Sequence, residues 1–236
     1  MKNKRGLSHI EVILSFVIFI GFLIFILAIF NPFSIPSDNS GKISLVEKEI
    51  LAYSSLEVKF LSLILNYTPA GCFRFKYENL DNITVKNESY DFINASTDST
   101  GSGKHVIING AGTKFYYLLS SQDFEERSFS YTPLCRQLDR DNYAFGLFSK
   151  HNMTSYTKML QLAGRHNSDY FALKNDLKIS ASDDFSFSVL DSLNKLLLNV
   201  SKKAPSNIKV VANEVPISLV YKNGTIISAK LNIRVW

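Results

Sequence analysis

The chain has 236 residues, 46% of them hydrophobic, and a formal charge of +5. That length accommodates one apolar segment plus a single domain of roughly 200 residues with its own core. Lys2, Lys4 and Arg5 precede the apolar segment and leave 23 of the 26 basic residues against 21 acidic ones. Later cations such as Lys202, Lys203 and Lys209 are scattered, so the electrostatic footprint of a nucleic-acid binder is missing and no nucleic-acid partner is expected.

Residues 12–30 are all apolar or small, interrupted only by Ser15 and Gly21. At about 1.5 Å per residue they extend roughly 28 Å, close to the hydrocarbon thickness of a bilayer. Sequence alone therefore predicts a transmembrane helix. Three cations lie on its N-terminal side and none on the other side before Lys42, which orients the N-terminus to the cytoplasm and the large domain outside. A cleaved secretory signal needs a shorter apolar core and a small-x-small site, and Asn31-Pro32-Phe33-Ser34 offers none.

Glu11 sits just inside this apolar run, where a carboxylate is costly unless it has a partner or a function. The stretch Lys4-Arg5-Gly6-Leu7-Ser8-His9-Ile10-Glu11-Val12 resembles the class III leader of type IV prepilins. Its features are a short basic stretch, a Gly before the cut and a Glu at the fifth mature position. The resemblance implies cleavage between Gly6 and Leu7 by a membrane-embedded prepilin peptidase. It also implies self-association, or association with other pilin-like subunits, through the N-terminal helix. In such a bundle Glu11 of one subunit meets the new Leu7 ammonium of its neighbour, an opposite charge in low dielectric. A plain signal anchor is the alternative, with Glu11 snorkelling to the headgroups. His9 stands where an apolar residue is common, and Pro32 ends the helix early.

The chain then divides into a basic leader (1–6), the helix (7–30), a linker with two prolines (31–42) and an extracytoplasmic domain (43–236). Helical spacing covers 44–54. Alternation predicts strands from Leu56 onward, over 72–77, and again over 104–109, 114–119 and 142–148. Helices are expected over 154–162 and 191–200. At the C-terminus Ile217 and Leu219 alternate on one side of Asn223-Gly224, and Ile227 and Ala229 on the other. A two-residue turn places the two apolar sets on opposite faces. A three-residue loop, Lys222-Asn223-Gly224, pairs Leu219 with Ile227 and Ile217 with Ala229 on one face, with Gly224 left-handed. The expected fold class is α+β: an N-terminal transmembrane helix followed by a β-rich extracytoplasmic domain.

Two cysteines, Cys72 and Cys135, lie beyond the apolar segment. An even pair in an oxidising compartment reads as a disulfide, worth about 4 kcal/mol for a loop of this length; two buried thiols are the alternative. Seven sequons begin at Asn66, Asn82, Asn87, Asn94, Asn152, Asn199 and Asn223, where roughly three would arise by chance. A prepilin leader with many sequons resembles archaeal-type surface proteins, and glycosylation is expected.

Catalytic and metal signatures are weak. Gly101-Ser-Gly-Lys104 lacks the first P-loop Gly and the Ser/Thr that binds magnesium. Asp139-Arg-Asp141-Asn142 departs from a calcium loop at Tyr143 and Ala144. His105, His151 and His166 have no ligand spacing, and no cofactor is expected. The functional expectation is a non-enzymatic pilin-like surface subunit held in the cell membrane. Its alternative is a single-pass binding protein or adhesin that does not polymerise.

Overall fold

A computed structural model describes residues 5–30, 39–98, 104–126 and 135–236, with the side chains of 5–11, 27–30, 39–40 and 111 outside the description. The chain divides into two units, 1–40 and 41–236. The first contains helix α1, Arg5–Phe30. Among the described residues no helix is long and apolar enough to cross a membrane. The side chains described for α1 run from Val12 to Ile26, 15 positions, or about 22 Å against roughly 30 Å of hydrocarbon. The expected transmembrane helix, and with it the single-pass membrane localisation, is corrected on that finding. What stands is an apolar helix whose described part is shorter than a span. The P-loop-like residues 101–103 and most of the expected linker (31–38) lie outside the described residues.

The second unit is a β-rich α+β fold. It begins with α2, Asn39–Ser54, so helix starts within the expected linker. Ile43, Val46 and Ile50 form its buried stripe, at helical spacing. The strands follow in order. β1 is Ser55–Leu65, β2 Ala70–Lys76, β3 Asn82–Asn87, β4 Phe92–Ile93, β5 Ala95–Asp98 and β6 His105–Ala111. β7 is Phe115–Ser121, β8 Arg136–Gln137 and β9 Tyr143–Ser155. After α3, Tyr156–Ser168, and α4, Tyr170–Asp176, come β10, Phe185–Asp191, β11, Leu196–Val200, β12, Val211–Val220, and β13, Ile226–Val235.

Nine strands form one sheet in the order β11-β10-β13-β12-β9-β1-β7-β3-β4, and four form a second, β5-β6-β2-β8. Within the large sheet β12 and β9 meet in parallel, through Leu219↔Thr154 and Val220↔Ser155. Paired residues share a face, so Leu219, Thr154 and Ser55 lie on one side, and alternation along β1 carries that side to Leu61, Leu63 and Leu65. Two cores occupy this face. Under α2, α3 and α4 lie Phe185, Phe187, Leu219, Leu231 and Ile233. Beneath the small sheet, Leu63, Phe73, Phe75, Ile108 and Tyr116 interlock. Cys72 on β2 and Cys135 beside β8 are joined by a disulfide, Cα to Cα 4.7 Å, as the even pair predicts.

The segment expected as a helix over 191–200 is instead a tight turn and the edge strand β11. The Asp191 carboxylate accepts from the amides of Leu193 and Lys195, both at 2.8 Å, and Asn194 is left-handed at φ 62°. The left-handed Asn194 and the antiparallel bond from the Asp191 amide to the Lys195 carbonyl make a hairpin turn that a helix cannot contain. The C-terminal hairpin takes the three-residue loop, with Leu219↔Ile227 and Ile217↔Ala229 paired and Gly224 at φ 81°. Its tip reaches β3, where Thr84 Oγ1 donates to the Asn223 carbonyl at 3.1 Å.

Lys174 is 2% exposed. Its ammonium donates to the Ala181 carbonyl at 2.8 Å and lies 3.6 Å from Asp184. Burial pushes the Asp184 carboxyl up, but hydrogen bonds from Lys202 and Tyr170 and the charges of Lys202 and Lys174 hold it below the ordinary carboxylate range. Its stabilisation is therefore full above the unfolded value of about 3.8 and is lost as the pH falls through the lower folded value.

Two outcomes follow for stability. A Cβ on Gly224 would lie 2.8 Å from Thr84 Cβ in a backbone conformation hostile to L-residues. Gly224→Ala should cost about 1–3 kcal/mol in urea unfolding, and an unchanged midpoint would contradict the close approach. Asp184→Asn leaves the Lys174 charge short of its carboxylate and should cost about 1–3 kcal/mol at neutral pH. Wild type and variant should converge in stability at acid pH; a gap that persists or widens there would refute the assignment.

Candidate binding site

The face of the large sheet opposite the two cores is covered in part, by Phe124 and the C-terminal hairpin tip, and it is uneven. Across β13 it presents Lys230, Asn232 and Arg234, none of them buried. Across β9, β1 and β7 it is apolar and aromatic. Pairing places Phe60 beside Leu119 and Ser62 beside Tyr117, so alternate residues of β1 and β7 build the floor.

One irregularity shapes the wall. β9 carries two residues, Gly146 and Leu147, opposite the single Ser62 of β1, a bulge between Leu61↔Phe148 and Leu63↔Phe145. A Cβ on Gly146 would collide with Ser62 Oγ. The bulge projects Leu147, 76% exposed, from the open face, in line with Ser149 and His151. His151 stands edge-on to Phe60, ring centroids 5.3 Å apart, with Nε2 3.2 Å from Ser149 Oγ.

The opposite wall is the β3–β4 turn. Asn87 Oδ1 accepts from the amides of Ser89 and Asp91, and the Tyr90 amide donates to the Asn87 carbonyl. Tyr90 is thereby held left-handed, φ 63°, with its ring stacked on Tyr117 at 5.1 Å. A non-glycine residue in that region costs of order 1–3 kcal/mol and persists because its surroundings over-determine it. The hydrogen bond with Tyr90 pushes the Tyr117 phenol up, with partial burial, Tyr90 and Glu88 adding to it. Beneath the floor, burial and the nearby Glu88 raise the Tyr116 phenol to about 12. Lys86 lies over the Phe92 ring at 4.6 Å. With Ile226 from the hairpin tip closing one end, these walls enclose a trough of about 550 Å³. That volume, with mostly apolar lining and a few hydroxyls, suits a binding cavity.

Of the residues named from sequence, His151 lines this trough, and none of the expected cleavage, assembly, disulfide or glycosylation residues does. Gly6, Leu7 and Glu11 belong to the α1 backbone, with their side chains outside the described residues. Among the described residues no group of three or more His, Cys, Asp or Glu is placed to hold a metal ion. His166 is buried in α3, with Nε2 3.3 Å from the Phe185 carbonyl. The run Phe115–Leu119 holds the missed signal. Five apolar residues in succession mean a strand covered on both faces, so something beyond the small sheet has to occupy the second face.

The sequons differ in access. Asn94, Asn152, Asn199 and Asn223 are exposed. Asn66 is exposed, but its amide donates to the Asp141 carbonyl. Asn87 uses its side chain to form the β3–β4 turn, donating to Asp91 at 3.4 Å. Asn82 is half-buried, its amide nitrogen donating to the Phe124 carbonyl at 2.8 Å. A glycosyl group replaces a hydrogen on that nitrogen, so Asn82 is unsuited to modification in the folded chain.

These features define a class: a β-rich α+β module with a disulfide-pinned small sheet and an aromatic trough on an open sheet face. Comparison with known proteins extends this no further, since no family model, no curated protein and no solved structure matches the chain.

Glycopeptide mapping of chain from a glycosylating host should find sugar at exposed sequons, from among Asn94, Asn152, Asn199 and Asn223, and none at Asn82. Sugar on Asn82 in folded material would overturn the access argument.

Proposed function

We propose that the chain is a non-enzymatic, pilin-like subunit that assembles through α1. The observation that carries this reading is the surface of that helix. Twelve large apolar side chains between Val12 and Phe25 are 37–66% exposed. They lie all round the helix rather than along a stripe, and a helix that is apolar all round needs cover on every side. Copies of the same helix supply it. The register of Gly6, Leu7 and Glu11 supports the same reading: cleavage after Gly6 frees an ammonium on Leu7, and Glu11 of a neighbouring copy neutralises it. The disulfide is consistent with an oxidising compartment.

A second reading, a surface binding protein or adhesin that does not polymerise, is favoured by the trough and its strained Tyr90. The two differ in stoichiometry. A subunit sediments as higher assemblies dependent on α1, whereas a solitary binding protein does not.

The test joins processing to assembly. Intact mass of protein from a host with prepilin peptidase should show loss of residues 1–6, and Glu11→Gln should leave that processing unchanged. Gln keeps the shape but loses the charge that offsets a desolvated ammonium, so assemblies should fall by about tenfold or more, the scale of losing one partner of a buried ion pair. A Gln variant that assembles like wild type would remove Glu11 from the contact, and retention of residues 1–6 would sink the pilin-like reading.

A further inference from the structure

The trough has a counterpart on the same unit. At the end of the β10–β11 hairpin Leu193 is 86% exposed, more than any other large apolar residue among those described. Its turn is rigid. Asp191 Oδ1 holds the amides of Leu193 and Lys195 at 2.8 Å, and the Asp191 carbonyl accepts from the Asn194 amide at 3.0 Å. Lys230 donates to Asn194 Oδ1 at 3.1 Å. Leu196, 53% exposed, continues the apolar surface onto the edge strand. An apex so firmly held loses little conformational freedom when it is buried in a partner.

We propose that the Leu193 turn of one copy of this chain inserts into the aromatic trough of the next. The occupant is a second copy because the two surfaces match in shape and in charge. A trough of about 550 Å³ admits a leucine and part of its turn. Exposed Lys195 flanks the apex, and exposed Glu88 stands beside the trough, close enough to raise the phenols of Tyr116 and Tyr117. Lys86 is also on that rim, but it is turned onto the Phe92 ring. The two surfaces belong to opposite edges of the nine-stranded sheet, the knob beside β11 and the trough bordered by the β3–β4 turn. A copy therefore presents its knob to one neighbour and its trough to another. Such a contact is heterologous, and it propagates unless the rotation between copies closes a ring. It deepens the assembly reading by naming a head-to-tail surface outside α1.

The test is site-specific cross-linking in the full chain. Among the described residues no cysteine is free, since Cys72 and Cys135 are bonded to each other. Mixing Leu193→Cys protein with Leu147→Cys protein under mild oxidation should yield a disulfide between positions 193 and 147, identified by mass spectrometry. Both substitutions are at exposed positions, so folding is preserved. A control mixture with Ser228→Cys, on the polar half of the open face, should yield none. Lys195→Glu should lower the 193–147 yield roughly two- to fivefold, as expected for one rim ion pair, and Glu88→Lys should restore it. No 193–147 product, or equal product at position 228, would overturn the proposal. Processing at Leu7 and the Glu11→Gln result are read separately, so loss of the α1 reading would leave this outcome distinct.

Discussion

The pairing of β1 with β9 is the joint on which the rest of the second unit depends. β1 lies between β7 and β9 in the large sheet, and β9 takes β12 on its far side. The register runs from Ser55↔Thr154 to Leu65↔Tyr143 with the Gly146–Leu147 bulge inside it. A strand has period two, so an uncorrected one-residue offset sends every later side chain to the other face. Here the extra residue lets Phe145 pair with Leu63 and Phe148 with Leu61, both on the core side. It also leaves Leu147, Ser149 and His151 together on the open side. One irregularity thus preserves the core and builds a wall of the trough.

The two cores share a face because the sheet is too wide for a single cover. Helices α2 to α4 protect the C-terminal strands and the small sheet protects the N-terminal ones. The hairpin tip then crosses to the other face and bonds Thr84, and Phe124 packs there with Leu56, Val58, Leu119 and Val220. Among the described residues, the apolar part of this face beyond the third cluster has no cover from its own chain. The trough is the aromatic part of that face which the described residues leave open, and an exposed apolar patch of this kind is typical of a binding surface.

How far sequence could foresee this follows from where each feature's information lies. The C-terminal hairpin was legible because the alternation and Asn223-Gly224 are adjacent in the chain, and only one loop length places both apolar sets on one face. The disulfide was legible from two cysteines, yet its role in pinning β8 to β2 needed the parallel pair Phe73↔Arg136. Segment 191–200 misled because Leu196, Leu197 and Leu198 suit a helix as well as an edge strand, and the decision rests on the left-handed Asn194 and the bond from the Asp191 amide to the Lys195 carbonyl. The trough left one trace in the sequence, the unbroken apolar run Phe115–Leu119, and no more. Its residues come from β1, β3, β7, β9 and the C-terminal hairpin, and they converge only once the strand order is known.

The distribution of charge separates groups spent on the fold from surface that is apolar. The most elaborate polar cluster, around Asp184, is spent on the fold. Tyr170 donates to Asp184 and accepts from the Phe185 amide, and Lys174 donates to the Ala181 carbonyl. Burial pushes the Tyr170 phenol up, with Asp184 opposing its ionisation too. A shifted titration need not mark an active site when hydrogen bonds already occupy the group. Among the described residues, exposed apolar side chains gather on α1, in the trough and at the Leu193 turn. Apolar surface of this kind is stabilised directly when it is buried, at about 25 cal/mol per Å².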